Sequence, residues 1–452
     1  MREWKNKQVL LVGMARSGVA AARLLHTLGA RLTINDAKER AAFAGALDFM
    51  NTWDVDWRLG QAPDALIDGK DLIVFSSGVP FWSPWIQTAR QKGIPCINEL
   101  QLGFWMSQAP FVAITGTNGK TTTTTLTCKM FENAHVQSFA VGNIGIPVCT
   151  HALEMQPDGV MVAEVAPFQL ISTLDFRPRV SAILNITEDH LNWFKTMDNY
   201  IDKKCLVFAH QRGDDVCILN ADNDITATLV NRPQCRVMLF SHQKEVEEGA
   251  FVRDGWMILR IDGKETPICA VDSILIPGPH NLENAMAASL SAFVMGVSAQ
   301  VIAHTLQTFQ GVEHRIETVR TLHGVTFIND SKATNPDSTI KAIEAMKQPT
   351  VLILGGSDKK SDYMPMFRAF TPLIRDVVVV GDTAEDIAAC AKRAGLDCVH
   401  RAYSFEEALH MARDLATPGM NVLLSPACAS YDFFDNFEQR GEVFKRLVWE
   451  LK

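Results

Sequence analysis

Directly after a short apolar run, the chain reads Ile114-Thr115-Gly116-Thr117-Asn118-Gly119-Lys120-Thr121. A glycine-rich turn that opens a helix aims backbone N–H groups at phosphate oxygens. Lys120 adds a cation for terminal phosphates, and the Thr121 hydroxyl can reach Mg²⁺. The general phosphate-loop spacing would place a further glycine at 114, where this chain has Ile, so that motif is only partly met. The plain alternative is a glycine turn before a threonine-rich helix start. Strand, glycines, Lys and Thr standing in register favour nucleotide binding.

Three more groupings carry polar chemistry at the ends of apolar runs. Gly13-Met14-Ala15-Arg16-Ser17-Gly18 fits the first βα turn of a dinucleotide fold, and Asp36 stands where a ribose-binding acid would lie. Ala15 puts a Cβ where a pyrophosphate would approach, so a tightly packed turn without a dinucleotide explains this match equally well. Glu164 ends one run, and Asn185-Ile186-Thr187-Glu188-Asp189-His190 follows another. Carboxylates and imidazoles at the C-terminal edge of a parallel sheet are where α/β enzymes place metals and substrates. Tyr200 and Lys204, four apart beside Lys203, read on spacing alone as a solvated helix face. Farther on, Asp330-Ser331-Lys332-Ala333-Thr334 and Ser425-Pro426-Ala427-Cys428-Ala429-Ser430 follow strand-like runs. Lys332 and Ser430, with Lys359 after Gly355-Gly356, could hold an anionic amino acid, whereas Cys428 reads as a buried thiol.

The elements that position these groups alternate short β-branched runs with helix-length amphipathic stretches, the pattern of parallel α/β sheets. Strands are expected at Gln8–Val12, Arg31–Ile34, Asp71–Phe75 and Ile94–Leu100. A second group holds Phe111–Thr115, Ser138–Val141, Met161–Glu164, Ser181–Asn185, Val216–Leu219 and Arg236–Phe240. Asp254-Gly255 and Asp262-Gly263 then mark hairpins. A third group holds Val325–Ile328, Val351–Leu354, Asp376–Val380 and Asn421–Leu424. These give three domains, residues 1–107, 108–309 and 310–452, consistent with 452 residues at about 150 per domain.

With 47% hydrophobic residues the chain can bury ordinary cores, and a net charge of −8 excludes the broad basic face of a nucleic-acid binder. The ten cysteines include no CxxC pair and read as free buried thiols. No apolar run nears the roughly 20 residues of a membrane helix, and the N-terminal run is too short for a secretory signal. A cytoplasmic protein without membrane insertion is expected.

Taken in order along essentially the whole chain, these segments resemble the Mur ligases of peptidoglycan synthesis, and among them the branch that adds D-glutamate. Gly142-Asn143-Ile144-Gly145, Gly278-Pro279-His280-Asn281-Leu282-Glu283-Asn284, His314-Arg315 and Asn436-Phe437-Glu438-Gln439-Arg440-Gly441 complete the match. The resemblance implies an α/β fold in three domains: a Rossmann-like N-terminal domain, a P-loop-type ATPase domain and a Rossmann-like C-terminal domain. It implies a monomeric bacterial enzyme that uses ATP and two Mg²⁺ to join D-glutamate to UDP-N-acetylmuramoyl-L-alanine through an acyl phosphate and a tetrahedral intermediate. It assigns Gly116, Thr117, Asn118, Gly119, Lys120, Thr121, Thr122, Asn284, Arg315 and Asp330 to ATP. Thr121, Glu164, His190 and Lys204 go to metal, with Lys204 converted by CO₂ to a carbamate. Arg16, Ser17, Asp36, Gly78, Asn143, Gln169 and His190 go to the UDP-sugar, and Lys332, Thr334, Lys359, Ser430 and Phe437 to D-glutamate. Lys120, Glu164, His190, Lys204 and Lys332 form the implied catalytic set.

Two segments depart from the family pattern. Glu164-Val165-Ala166-Pro167-Phe168-Gln169 replaces Glu-Leu-Ser-Ser-Phe-Gln, and Asn192-Trp193 replaces Asp-Arg. Other readings are a related ligase adding L-glutamate or another amino acid, a folylpolyglutamate synthase-like enzyme, and a non-catalytic nucleotide-sugar-binding relative.

Overall fold

The computed structural model describes residues 3–452 apart from 44, 46, 144, 190, 277 and 358–360, and the side chains at 191 and 192 are also outside the description. The chain divides into two compact units, 1–309 and 310–452. The first contains two sheets and the second contains one.

The first sheet is built from β1 (Gln8–Val12), β2 (Arg31–Asp36), β3 (Val55–Leu59), β4 (Leu72–Phe75) and β5 (Cys96–Ile97), all parallel, in the order β3-β2-β1-β4-β5. Leu-Val-rich β1 and β4 are covered on both faces, as a central parallel strand requires. Helix α1 (Arg16–Thr27) packs on this sheet through Ala20, Ala21, Leu24 and Leu25. The expected strand Ile94–Leu100 is a correction: only Cys96–Ile97 pairs. The Asn98 side chain then accepts the Gln101 N–H and starts α2 (Glu99–Met106).

The second sheet holds β6 (Phe111–Thr115), β7 (Ser138–Gly142), β8 (Val160–Glu164), β9 (Val180–Ile183), β10 (Val216–Asn220), β11 (Arg236–Ser241), β12 (Gly249–Arg253), β13 (Trp256–Ile261) and β14 (Lys264–Ala270). Its order is β14-β13-β12-β11-β10-β9-β6-β8-β7. It is parallel from β7 to β12, and β12-β13-β14 turn back as antiparallel hairpins. Asp254 and Gly255 both take positive φ, as do Asp262 and Gly263, the signature of the tight turns expected there. Helix α3 (Lys120–Asn133) follows β6. It packs beside the Ala-rich helix that begins at Pro279, over one face of this sheet.

The third sheet, in the second unit, holds β15 (Glu317–Leu322), β16 (Val325–Asn329), β17 (Thr350–Leu354), β18 (Ile374–Val379), β19 (Val399–Arg401) and β20 (Asn421–Leu424) in the order β15-β16-β20-β17-β18-β19. Only the edge strand β15 runs antiparallel. All ten cysteines are free, eight of them buried and Cys235 and Cys398 partly exposed. No helix of the described residues is long and apolar enough to cross a membrane.

Candidate active site

Strand β6 lies between β9 and β8, so the loops leaving the C-terminal ends of these three strands share one edge of the sheet. The turn 116–119 leaves β6, Glu164 ends β8, and Asn185 follows β9. Asn185 ties two of these loops together. Its side-chain carbonyl accepts the Asn118 N–H at 2.8 Å, and its backbone carbonyl accepts the Thr117 N–H at 2.9 Å. The Thr117 hydroxyl donates to the Thr187 carbonyl at 3.2 Å and lies 3.4 Å from the Tyr200 hydroxyl. The turn is thus braced by its own protein neighbours.

Gly119 takes φ +83°, and a Cβ there would stand 2.2 Å from Asn284 Oδ1, so glycine is required twice over. Asn284 also accepts the Thr123 hydroxyl at 3.2 Å, which fixes its amide against the start of α3. Lys120 Nζ donates to the Gly116 and Thr117 carbonyls at 3.0 and 2.9 Å, arching over the loop. Thr121 and Thr122 sit buried in the first turn of α3.

Glu164 is 3% exposed and accepts two bonds, one per oxygen: the Thr121 hydroxyl at 2.8 Å and the Asn143 amide at 2.8 Å. A carboxylate and a hydroxyl beside a phosphate-type turn are the hard oxygen donors that Mg²⁺ prefers. His190 lies outside the described residues.

Helix α4 (Pro167–Leu170) follows Glu164. Pro167 occupies its first position, where no intrahelical N–H bond is lost, and Gln169 reaches back to accept the Ala166 N–H at 3.0 Å. The departure at Ala166-Pro167 is therefore compatible with a helix start.

Helix α5 (Met197–Cys205) overturns the solvated-face reading of Tyr200 and Lys204. Both are 1% exposed, whereas Lys203 beside them remains partly open. Phe194 packs on Tyr200 and on Phe168 of α4, sealing that face. No hydrogen bond or ion pair holds the Lys204 amine among the described residues, and it lies 4.7 Å from the Tyr200 ring centre. Burial, reinforced by the positive charge of Lys120, drives its pKa well below the ordinary lysine range. A buried neutral amine is a nucleophile.

In the first sheet, the turn after β1 meets the turn after β4, where the strand order reverses. A Cβ on Gly13 would meet Ser76 Cβ at 2.8 Å, and one on Gly18 would meet the Gly13 carbonyl at 1.9 Å, so both glycines serve close packing. Asp36 ends β2 and turns its carboxylate onto the same turn, accepting the Met14 N–H at 2.7 Å and the Lys38 N–H at 2.9 Å. Arg16 and Ser17 open α1. Arg16 Nη1 lies near Gly145, 3.8 Å from where its Cβ would stand. Gly78 follows β4 in open space. Asn143 bonds Glu164 and Gln169 lies in the helix that follows it, whereas Arg16, Ser17, Asp36 and Gly78 group around the first sheet.

In the second unit, Asp330 follows β16, and Ser425–Ser430 follow the adjacent β20. Asp330 accepts the Ser425 hydroxyl at 2.6 Å and the Ile316 N–H at 3.2 Å, and its carboxyl is pushed up to about 7 by burial, partly countered by Ser425 and Arg315. Lys332 Nζ stands 5.9 Å from the Phe437 ring, and Thr334 follows in the same turn. Ser430 is buried. Lys359 lies outside the described residues.

Sequence reasoning gave no separate role to Arg440, on helix α6 (Phe437–Glu450), yet it organises this corner. Its buried guanidinium donates to Ser331 Oγ and the carbonyls of Ser331, Cys428 and Ala429 at 2.9–3.1 Å. The available signal was an arginine three residues beyond Phe437 in the run Asn436–Gly441, which the resemblance already singles out. Cys428 is buried against the Tyr363 and Thr383 hydroxyls at 3.2 and 3.3 Å, as its reading as an inert thiol expects.

Comparison with known proteins places this geometry in context. The MurD-like N-terminal domain of Mur ligases matches residues 7–98, the Mur ligase middle domain matches 114–292, and the Mur ligase glutamate ligase domain matches 314–428. A UDP-N-acetylmuramoylalanine--D-glutamate ligase of Thermoanaerobacter sp. (strain X514) is 44% identical over 452 residues, covering 100% of both chains. The chain belongs to the Mur ligase family. A second ligase of the same name, from Clostridioides difficile (strain 630), is 42% identical over 99% of both chains. Mur ligase folds are also found among solved structures. MurC of Thermotoga maritima superposes with TM-score 0.60 at 18% identity over 98% of this chain and 100% of that one. MurF of Acinetobacter baumannii gives 0.59 at 20% identity over 77% and 79%. The mixed α/β architecture with mainly parallel sheets is that of the Mur ligases, a family of ATP-dependent ligases that uses Mg²⁺.

Proposed function

We propose that this Mur ligase joins D-glutamate to UDP-N-acetylmuramoyl-L-alanine at the expense of ATP, as a cytoplasmic bacterial monomer supplying peptidoglycan precursors. The observation that carries this reading is the meeting of the 116–121 turn, Glu164 and buried Lys204 at one sheet edge, in a chain aligned end to end with ligases of that name.

The alanine carboxylate attacks the γ-phosphorus, and the bond to ADP breaks, leaving an acyl phosphate. The D-glutamate amine then attacks the carbonyl carbon. The tetrahedral adduct loses a proton and expels phosphate, giving the amide. Little covalent work falls to the protein, which must position like-charged reactants and offset their charge. Gly116 and Gly119 let the turn approach phosphates closely, Thr117 and Asn118 hold its shape through their N–H bonds to Asn185, and Lys120, Thr121 and Thr122 stand beside the phosphates. Lys120 must leave its loop carbonyls to reach a γ-phosphate.

Asn284, Arg315 and Asp330 take the adenosine. Arg16, Ser17, Asp36, Gly78, Asn143, Gln169 and His190 take the UDP-sugar. Lys332, Lys359, Thr334 and Ser430 bind the two carboxylates of D-glutamate, with Phe437 along its methylenes. The main duties of residues 1–107, 108–309 and 310–452 are thereby UDP-sugar, ATP and amino acid, with Asn143, Gln169 and His190 of the second also serving the sugar and Arg315 and Asp330 of the third the adenosine.

Thr121, Glu164, His190 and Lys204 would hold Mg²⁺ at two sites. Bound Mg²⁺ would neutralise phosphate charge as it develops. An ammonium at 204 would repel the metal. The neutral amine favoured by its burial forms an N–C bond to CO₂ and gives up one N–H proton to solvent, and the resulting carbamate is a carboxylate-like ligand.

The test is phosphate release from ATP with UDP-N-acetylmuramoyl-L-alanine and either glutamate enantiomer. Turnover with D-glutamate is expected. Preference for L-glutamate would overturn the substrate assignment, and no turnover with any amino acid would overturn the reaction.

A further inference from the structure

A second cluster of metal-type side chains lies on the central sheet, away from Glu164. Asp222 follows β10, His242 follows β11, and Glu283 sits in the helix Pro279–Val294 that crosses their ends. His242 Nδ1 lies 3.0 Å from Asp222 Oδ2 and 3.3 Å from Glu283 Oε1. That nitrogen is buried, and neither carboxylate meets it in hydrogen-bond alignment. One ligand atom from each residue falls within 4.8 Å of the other two. Bonds of about 2.0–2.2 Å from one cation to such atoms at tetrahedral or octahedral angles require separations of about 2.8–3.6 Å. Both separations from His242 Nδ1 fall in that range.

The carboxylates are held in place by other groups, as metal ligands usually are. Asp222 accepts the Ser241 hydroxyl at 2.5 Å and its oxygen facing the imidazole also accepts the His242 N–H at 2.7 Å. Glu283 Oε2 accepts the Asn220 amide at 2.9 Å, leaving Oε1 toward the imidazole. Charge separates this cluster from a superficially similar one, Glu313, His314 and Glu442 in the second unit. There Lys445 bonds Glu442 at 3.0 Å and also reaches Glu313 and Glu317, so the acids are already neutralised. No Lys or Arg pairs with Asp222 or Glu283 among the described residues. Asp222 is nearly fully buried, and burial pushes the Glu283 carboxyl above its ordinary range. Two acids and one imidazole without a fixed cation leave a negative centre that a divalent ion would balance.

We propose that Asp222, His242 and Glu283 bind one divalent transition-metal ion of the Zn²⁺ class, the imidazole through Nδ1 and each acid through one oxygen, with solvent completing the shell. An imidazole beside two carboxylates binds ions of this class more tightly than Mg²⁺. Three strand spacings separate β10 from β8, about 14 Å, so this centre is distinct from the one at Glu164. The ion would tie the helix Pro279–Val294, one residue before Asn284, to the ends of β10 and β11.

The test uses the metal-stripped full chain in excess Mg²⁺, titrated with Co²⁺ while its visible d–d absorption is followed. The wild type is expected to take up one equivalent with a low-symmetry visible band. Affinity should fall about tenfold or more in His242→Ala and in Asp222→Asn, with the band lost. Should His242→Ala fail to fold, His242→Gln carries the same comparison. Equal affinity and an unchanged band in wild type and variant would overturn the site, as would no Co²⁺ uptake by the wild type below about 1 mM.

Discussion

On the β12–β13 hairpin, Arg253 and Arg260 each reach both Glu245 and Glu265, at 2.5–3.0 Å. At the β6–β8 edge of the same unit, Lys204 is buried without a hydrogen bond or ion pair among the described residues, and Glu164 is served by neutral donors alone. The hairpin charges satisfy one another in solvent. Arg253 and Arg260 hold the Glu245 carboxyl down at about 2. Glu164 and Lys204 are dry, and neither forms an ion pair with an opposite charge among the described residues, which a protein built only for stability would avoid. Exposed, closed networks mark scaffold. Buried, open ones mark chemistry.

The contrast breaks most visibly at Lys204. Lys204→Ala should lower turnover by about 10³-fold or more, measured as phosphate release, with partial recovery on adding a small carboxylate. Full activity in that variant would refute the carbamate.

Arg440→Ala asks whether a buried cation bonded to protein carbonyls behaves as structure. It should cost about 3–5 kcal/mol, because three carbonyls and a hydroxyl lose their donor. Hydrogen exchange of the β16, β17 and β20 amides would report the loss.

Asp330 tests the same principle through pH. Its folded pKa, raised to about 7, lies above the unfolded carboxylate value, so the folded state binds the proton more tightly. Its contribution to stability is complete below about pH 4 and is lost as pH rises through about 7. The wild type should therefore weaken relative to Asp330→Asn across that window in denaturant titrations. Parallel curves would show that the carboxyl is not perturbed.

The smallest effect belongs to the hairpin. Arg253→Ala should move the thermal midpoint by no more than about 2 °C, since exposed pairs are screened by water and salt.

How much of this was legible in the sequence depended on burial. Central strands such as β1, β6 and β20 announce themselves as apolar runs because both faces are covered. Two edge strands do not: β3 alternates in Val55-Asp56-Trp57-Arg58-Leu59, β15 has only Val319 and Leu322 as apolar residues between Glu317 and Leu322, and neither was expected. The segment near Ile97 read as a longer strand because the Asn98 cap declares itself only through its bond to Gln101. At the site, Gly116–Thr121 was readable because a local turn makes it. Lys204 was not, because only the packing of Phe168, Phe194 and Tyr200 makes it dry. Arg440 was hidden for the same reason, its partners lying up to 109 residues away.

The contact between Gly119 and Asn284 has a consequence for how this family can drift. The two positions are 165 apart in sequence, yet a Cβ at 119 would stand 2.2 Å from Asn284 Oδ1, so 119 cannot gain a side chain while that amide keeps its place. Shortening residue 284 would relieve the collision but not the left-handed backbone at 119, which still excludes most side chains. Position 284 is thus free to follow 119, whereas 119 is not free to follow 284. A two-site library should recover that asymmetry as one-way epistasis.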